Sequence, residues 1–127
     1  LGLATSVGMW LFYVQHQFEG AYWARREEWD YTDAALRGSS WYRLPRVLQW
    51  FTGNIGFHHI HHLNPGIPNY RLEACANADP RLRAVPELTL RTSLRSLAYR
   101  LWDERAQAWV GFAAVRARRE ERLHDGC

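Results

Sequence analysis

Residues Thr52–Pro68 read T-G-N-I-G-F-H-H-I-H-H-L-N-P-G-I-P, and this stretch organises the chain. Within it His58, His61 and His62 form H-x-x-H-H. On a helix, offsets of three and four carry His61 and His62 to the same side as His58. A neutral imidazole ligates iron, zinc, copper or nickel, and an acceptor on its other ring nitrogen fixes the tautomer. Four of the six histidines fall within the five positions from 58 to 62, inside a patterned apolar segment. The spacing therefore points to metal ligation, without choosing the metal. It is not a zinc-finger spacing, and H-E-x-x-H does not occur.

The chain has 127 residues, room for one modest domain. Hydrophobic residues make up 47% and aromatic residues 14%, including seven Trp and six Tyr. This aromatic load suits a body at a membrane interface. All 16 basic residues are Arg, set against 13 acids for a net charge of +3. They are scattered among acids with no recognition motif, so a nucleic-acid partner is not expected. Cys75 and Cys127 lack C-x-x-C spacing and read as reduced thiols.

Residues 1–18 carry no Asp, Glu, Lys or Arg. A helix of that length is about 27 Å long, slightly short of the roughly 20 residues that span a bilayer. The reading is a transmembrane helix entered midway, with His16 at its lip and Tyr13, Tyr22, Trp23 and Trp29 as an aromatic belt. Glu19, three residues beyond His16, is either an acceptor for that imidazole or an exposed acid. Asp33 is expected to cap a brief helix over Ala34–Arg37, closed by Gly38. Pro45 opens a helix expected to run from about Arg46 to Leu63, with Val47, Phe51, Asn54, His58 and His62 on one stripe. Asn54 then either orients a ring or holds a metal-bound water, or makes a plain helix hydrogen bond. Gly53 and Gly56 suggest close approach by another helix. His59 points about a quarter turn from His58 and is the least favoured ligand of the four. Pro65, Gly66 and Pro68 stop the helix. Leu82–Trp102 is amphipathic, suited to a membrane surface or the cytoplasmic side of a bundle. Residues 105–112 are left between an extended pair and a helix, and Arg116–Arg122 reads as a solvated helical end.

Taken together, V-Q-H-Q-F-E-G-A-Y-W (Val14–Trp23) and S-S-W-Y-R-L-P-R-V-L-Q-W-F-T-G-N-I-G-F-H-H-I-H-H-L-N-P-G-I-P-N-Y (Ser39–Tyr70) resemble the C-terminal part of membrane fatty acid desaturases. The closest likeness is to bacterial and plastid-type omega-6 (delta-12) acyl desaturases, over residues 1 to about 110. The resemblance implies an all-α, integral-membrane, helical di-iron fold, of which this is the C-terminal portion. It divides the chain into a transmembrane helix end and lip (1–24), a histidine-box helix (45–64) and a cytoplasmic amphipathic tail (80–127).

It further implies that His58, His61 and His62 are the third histidine box, and that His16 is the additional histidine of the preceding helix. Asn54 matches, less securely, an asparagine that reaches iron through water. The cofactors implied are two iron ions, with O2 as co-substrate. The implied partners are a membrane lipid or fatty acyl substrate, a ferredoxin-like electron donor and the N-terminal part of the same chain. The first two histidine boxes have no counterpart here, so the chain alone is expected to be inactive. Trp10, Phe12, Trp50 and Phe57 are candidates for tunnel or bundle packing. The alternatives on the same scaffold are a hydroxylase, an acetylenase or a carotenoid oxygenase. The alternative outside enzymes is a non-catalytic membrane metal-binding fragment.

Overall fold

The computed structural model describes residues 1–124. Helix α1, Gly2–His16, places Trp10, Leu11 and Val14 on one side at helical spacing. These pack with Phe18, Ala21, Tyr42 and Leu88 into a first core. The other face of α1, with Leu3, Met9 and Phe12, is exposed.

Helix α2, Tyr31–Arg37, starts at Asp30, whose carboxylate accepts from the Asp33 backbone N–H at 2.9 Å. The cap is thus three residues earlier than the sequence suggests, and Asp33 is inside the first turn. Strand β1, Trp41–Arg43, pairs in parallel with β2, Glu87–Thr89, in the register Tyr42↔Leu88. Parallel strands need a long connection. Here that connection holds α3 (Arg46–Phe51), α4 (His58–Leu63) and α5 (Leu72–Ala78). Phe57, Ile60, Leu72 and Ala76 form a second core inside it.

After β2, a capping box between Thr89 and Thr92 starts the short α6, Leu90–Ser93. A 3-10 turn over Leu94–Ala98 follows. Strands β3 (Leu101–Asp103) and β4 (Ala108–Val110) make an antiparallel hairpin, with Gln107 at φ 49° in its turn. Residues 105–112 therefore include the second strand of an extended pair. Helix α7, Phe112–His124, leads out from it.

Three sequence expectations are corrected. The integral-membrane, all-helical fold does not hold. Helix α1 covers Gly2–His16. Its last turn is committed to the protein interior, since Val14 and Gln15 are fully buried. Among the described residues no helix is long and apolar enough to cross a membrane. The transmembrane reading of the first segment, the integral-membrane placement and the cytoplasm-facing orientation of the histidines are therefore not supported. Two small sheets also make the fold mixed rather than all-α.

The helix expected over 46–63 is in fact two. Gly53 (φ 61°) and Asn54 (φ 59°) are consecutive left-handed residues, and no α-helix passes through such a pair. The chain then re-enters through a 3-10 turn, Ile55–Phe57. At Gly56 a Cβ would overlap the Tyr42 carbonyl and the Gln49 amide. The close approach foreseen for this glycine is made by the backbone of strand β1 and by a side chain of helix α3.

The amphipathic stretch 82–102 is likewise no single helix. Pro86 precedes β2, and the segment divides among β2, α6, the 3-10 turn and β3. Leu90, Leu94 and Leu97 remain exposed. Cys75 is a half-buried free thiol, and Cys127 lies outside the described residues.

Candidate metal centre

Two elements bring three imidazoles to one point. His16 ends α1, and His58 and His62 stand one turn apart on α4. The Nε2 of His62 lies 2.9 Å from that of His16 and 3.0 Å from that of His58. The donor atoms of all three lie within 4.8 Å of one another.

The His16 tautomer follows from its neighbour. Its Nδ1 is 2.7 Å from the Phe12 carbonyl oxygen, which has no hydrogen to give. The proton of the neutral ring is therefore on Nδ1, and Nε2 presents a lone pair to the cluster. Phe12 also packs its ring 4.6 Å from the His16 ring, centroid to centroid. The spacing of four between these residues could have disclosed the carbonyl contact from the sequence.

His58 is buried and His62 exposed, so the cluster opens to one side. Burial pulls the His58 pKa down to about 3, helped by repulsion from protonated His62, His16, His61 and His59. His62 is lowered first by partial burial and then by His16 and His61. Both shifts favour neutral rings, the form that donates to a metal.

His59, on the same helix, is fully buried with its Nε2 2.8 Å from the Leu82 carbonyl oxygen. It fastens α4 to the loop before β2. Burial lowers its pKa, with the backbone of Leu82 and Ser40 acting in the opposite direction. His61 is half-buried, its ring stacked against that of His58 at 5.8 Å between centroids. Its donor atoms are outside the converging triad. Asn54 ends α3's approach in the left-handed region and donates through Nδ2 to the Asn69 carbonyl at 3.1 Å. Glu19 accepts from the Tyr99 hydroxyl at 3.4 Å. Glu19 is not among the groups that converge. Phe57 is buried in the second core and stacks on Trp41, whereas Phe12 and Trp50 are exposed.

Sequence reasoning missed what holds these elements. The Tyr13 hydroxyl bonds to the Ser96 and Tyr99 carbonyls at 3.0 and 3.1 Å, and the Gln17 amide donates to Tyr99 as well. They tie the end of α1 to the 3-10 turn. On α4, the Tyr31 hydroxyl reaches the His62 carbonyl at 2.6 Å and the Leu63 carbonyl at 3.0 Å. These partners are far apart in sequence and leave no local signal.

The three nitrogens fit a metal ion. With imidazole–metal bonds of about 2.0–2.1 Å, donors at right angles lie about 3 Å apart, close to the His16–His62 and His62–His58 separations, and the third pair lies within 4.8 Å. Nitrogen donors of this kind suit iron, zinc, copper or nickel. Three donors leave the rest of a coordination sphere to other groups.

A family model described as fatty acid desaturase matches residues 1–93. A curated protein of Bacillus subtilis (strain 168), named fatty acid desaturase, is 54% identical over 114 residues. The match covers 90% of this chain and 32% of that relative, so the chain spans about a third of the relative's length. No solved structure matches.

Proposed function

The chain belongs to the fatty acid desaturase family, and on that premise we propose that the full-length protein introduces a double bond into a fatty acyl chain with O2. The observation that carries the reading is the convergence of His16, His58 and His62 from two helices. In this reading the chain is the C-terminal part of the protein, and its closest functional kin are the omega-6 type enzymes.

The reaction converts an acyl CH2–CH2 pair, O2, two electrons and two protons into CH=CH and two waters. A ferredoxin-like carrier supplies the electrons. Bound iron, as a two-ion centre, supplies the oxidising power that amino-acid side chains lack. His16, His58 and His62 would hold one ion, and His61 would serve a second. Residues outside this chain complete both. Asn54 and Glu19 act through water or through the imidazoles, and His59 acts as a strut. Burial keeps His58 unprotonated and available.

With three converging donors among the described residues, the 127 residues alone would bind metal without turnover. The full-length protein is tested by expressing it in cells fed a labelled saturated fatty acid and measuring the acyl products by mass spectrometry. Loss of two hydrogens, dependent on iron, is the expected result. A product that gains an oxygen would move the reading to hydroxylation. No acyl change from an iron-loaded, reductant-supplied protein would overturn it.

A further inference from the structure

The three imidazoles of the triad are not held equally. His58 is fixed by burial, and His16 by the Phe12 carbonyl and the tethers at Tyr13 and Gln17. His62 is exposed and sits one residue from the end of a six-residue helix. Helices this short have little stability of their own, and their last carbonyls lack internal partners. The chain leaves α4 at once, since Asn64 is extended.

One group meets that end. The Tyr31 hydroxyl, from the first residue of α2, lies 2.6 Å from the His62 carbonyl oxygen and 3.0 Å from that of Leu63. A phenol has one hydrogen, so the shorter contact is the principal bond and Leu63 shares it. The bond acts on the backbone of the same residue whose ring stands 2.9 and 3.0 Å from its two partners. We propose that Tyr31 is a positioning residue of the metal centre, holding the last turn of α4 so that the His62 Nε2 stays on the other two donors. This rests on the metal-binding reading of the triad.

The test is a cobalt(II) titration of the full-length protein, followed by its visible ligand-field spectrum. Tyr31→Phe removes only the hydroxyl from a ring that is 50% exposed. It should keep the fold by circular dichroism, bind cobalt about tenfold more weakly, as loss of groups that orient ligands does, and shift the spectrum toward that of His62→Ala. Tyr31→Trp, which returns an N–H donor, should recover part of the affinity. Tyr42→Phe, which loses a core hydroxyl bond to Ser93, should lower stability and leave the spectrum unchanged. Wild-type affinity and spectrum in Tyr31→Phe would overturn the assignment, as would an equal loss in Tyr42→Phe. If Tyr31→Phe does not fold, Tyr31→Trp decides: retained spectrum supports the role, and a folded protein with the His62→Ala spectrum ends it. Wild-type protein that binds no cobalt at these histidines would instead remove the metal centre itself.

Discussion

The Nε2 atoms of His16 and His62 lie 2.9 Å apart, although 46 positions separate the residues in the chain. His62 is exposed and His16 half-buried, so neither ring is a large part of the packed interior. Removing either should therefore cost metal binding far more than stability. His16→Ala and His62→Ala in the full-length protein are expected to leave the helical signal and melting temperature nearly unchanged and to lower iron per protein severalfold. Elemental analysis of purified protein checks this. Full iron in both variants would show that the triad is not a ligand set.

His59 should behave in the opposite way. Its ring is fully buried and reaches the Leu82 carbonyl. His59→Ala leaves that carbonyl unpaired and opens a cavity, a combined cost of roughly 2–5 kcal/mol. His59→Gln, which retains a donor, should cost less. Denaturant unfolding gives the ranking, and metal content measured where both variants remain folded should match wild type. Loss of metal from a stable His59→Gln protein would make this imidazole a ligand.

Acid should destabilise the metal-free protein through these rings. The folded-state pKa of His58 is about 3, below its ordinary value of 6.5, and those of His59 and His62 are also lowered. The unfolded chain thus binds more protons than the folded one in this range. The contribution is fully present above about pH 6.5 and is lost progressively as pH falls toward about 3. Denaturant midpoints measured across that range should fall steadily. In His58→Phe the slope should be smaller, and an unchanged slope would mean that His58 titrates normally in the fold.

Gly56→Ala is expected to act on the site from its far side. The added methyl would overlap the Tyr42 carbonyl and the Gln49 amide. Overpacking of this kind costs typically about 1–3 kcal/mol. The shift pushes the 3-10 turn off β1 just ahead of His58, so cobalt affinity should fall together with stability. Gly66→Ala, where the nearest outside atom is the flexible Asn64 side chain at 3.1 Å, serves as the mild comparison.

The donors themselves were legible from H-x-x-H-H, because residues one helical turn apart share a face whatever surrounds them. That reading survives in α4, where His58 and His62 meet. The longer stripe does not survive. Val47, Phe51 and Asn54 suit a helix running on to His62, but Gly53 and Asn54 turn left-handed between them. A glycine serves close packing and positive φ equally well, and sequence spacing does not choose between them. The first apolar segment misled for a related reason. Its composition suits a bilayer as well as a protein core, and the burial of Val14 and Gln15 against the rest of the chain sets where α1 ends its exposed run.

By itself, then, the sequence determined which side chains can donate to a metal, the local register that aligns two of them, and the family to which their pattern points. Tertiary structure alone decided the distance at which His16, already named by the likeness, meets His62, that His59 faces inward while His62 faces out, and that Tyr31 closes the end of their helix. Helical register fixes angles between neighbours to within a turn. Which angle faces the interior depends on Leu82, Tyr31 and Phe12, and their proximity exists only once the chain has folded.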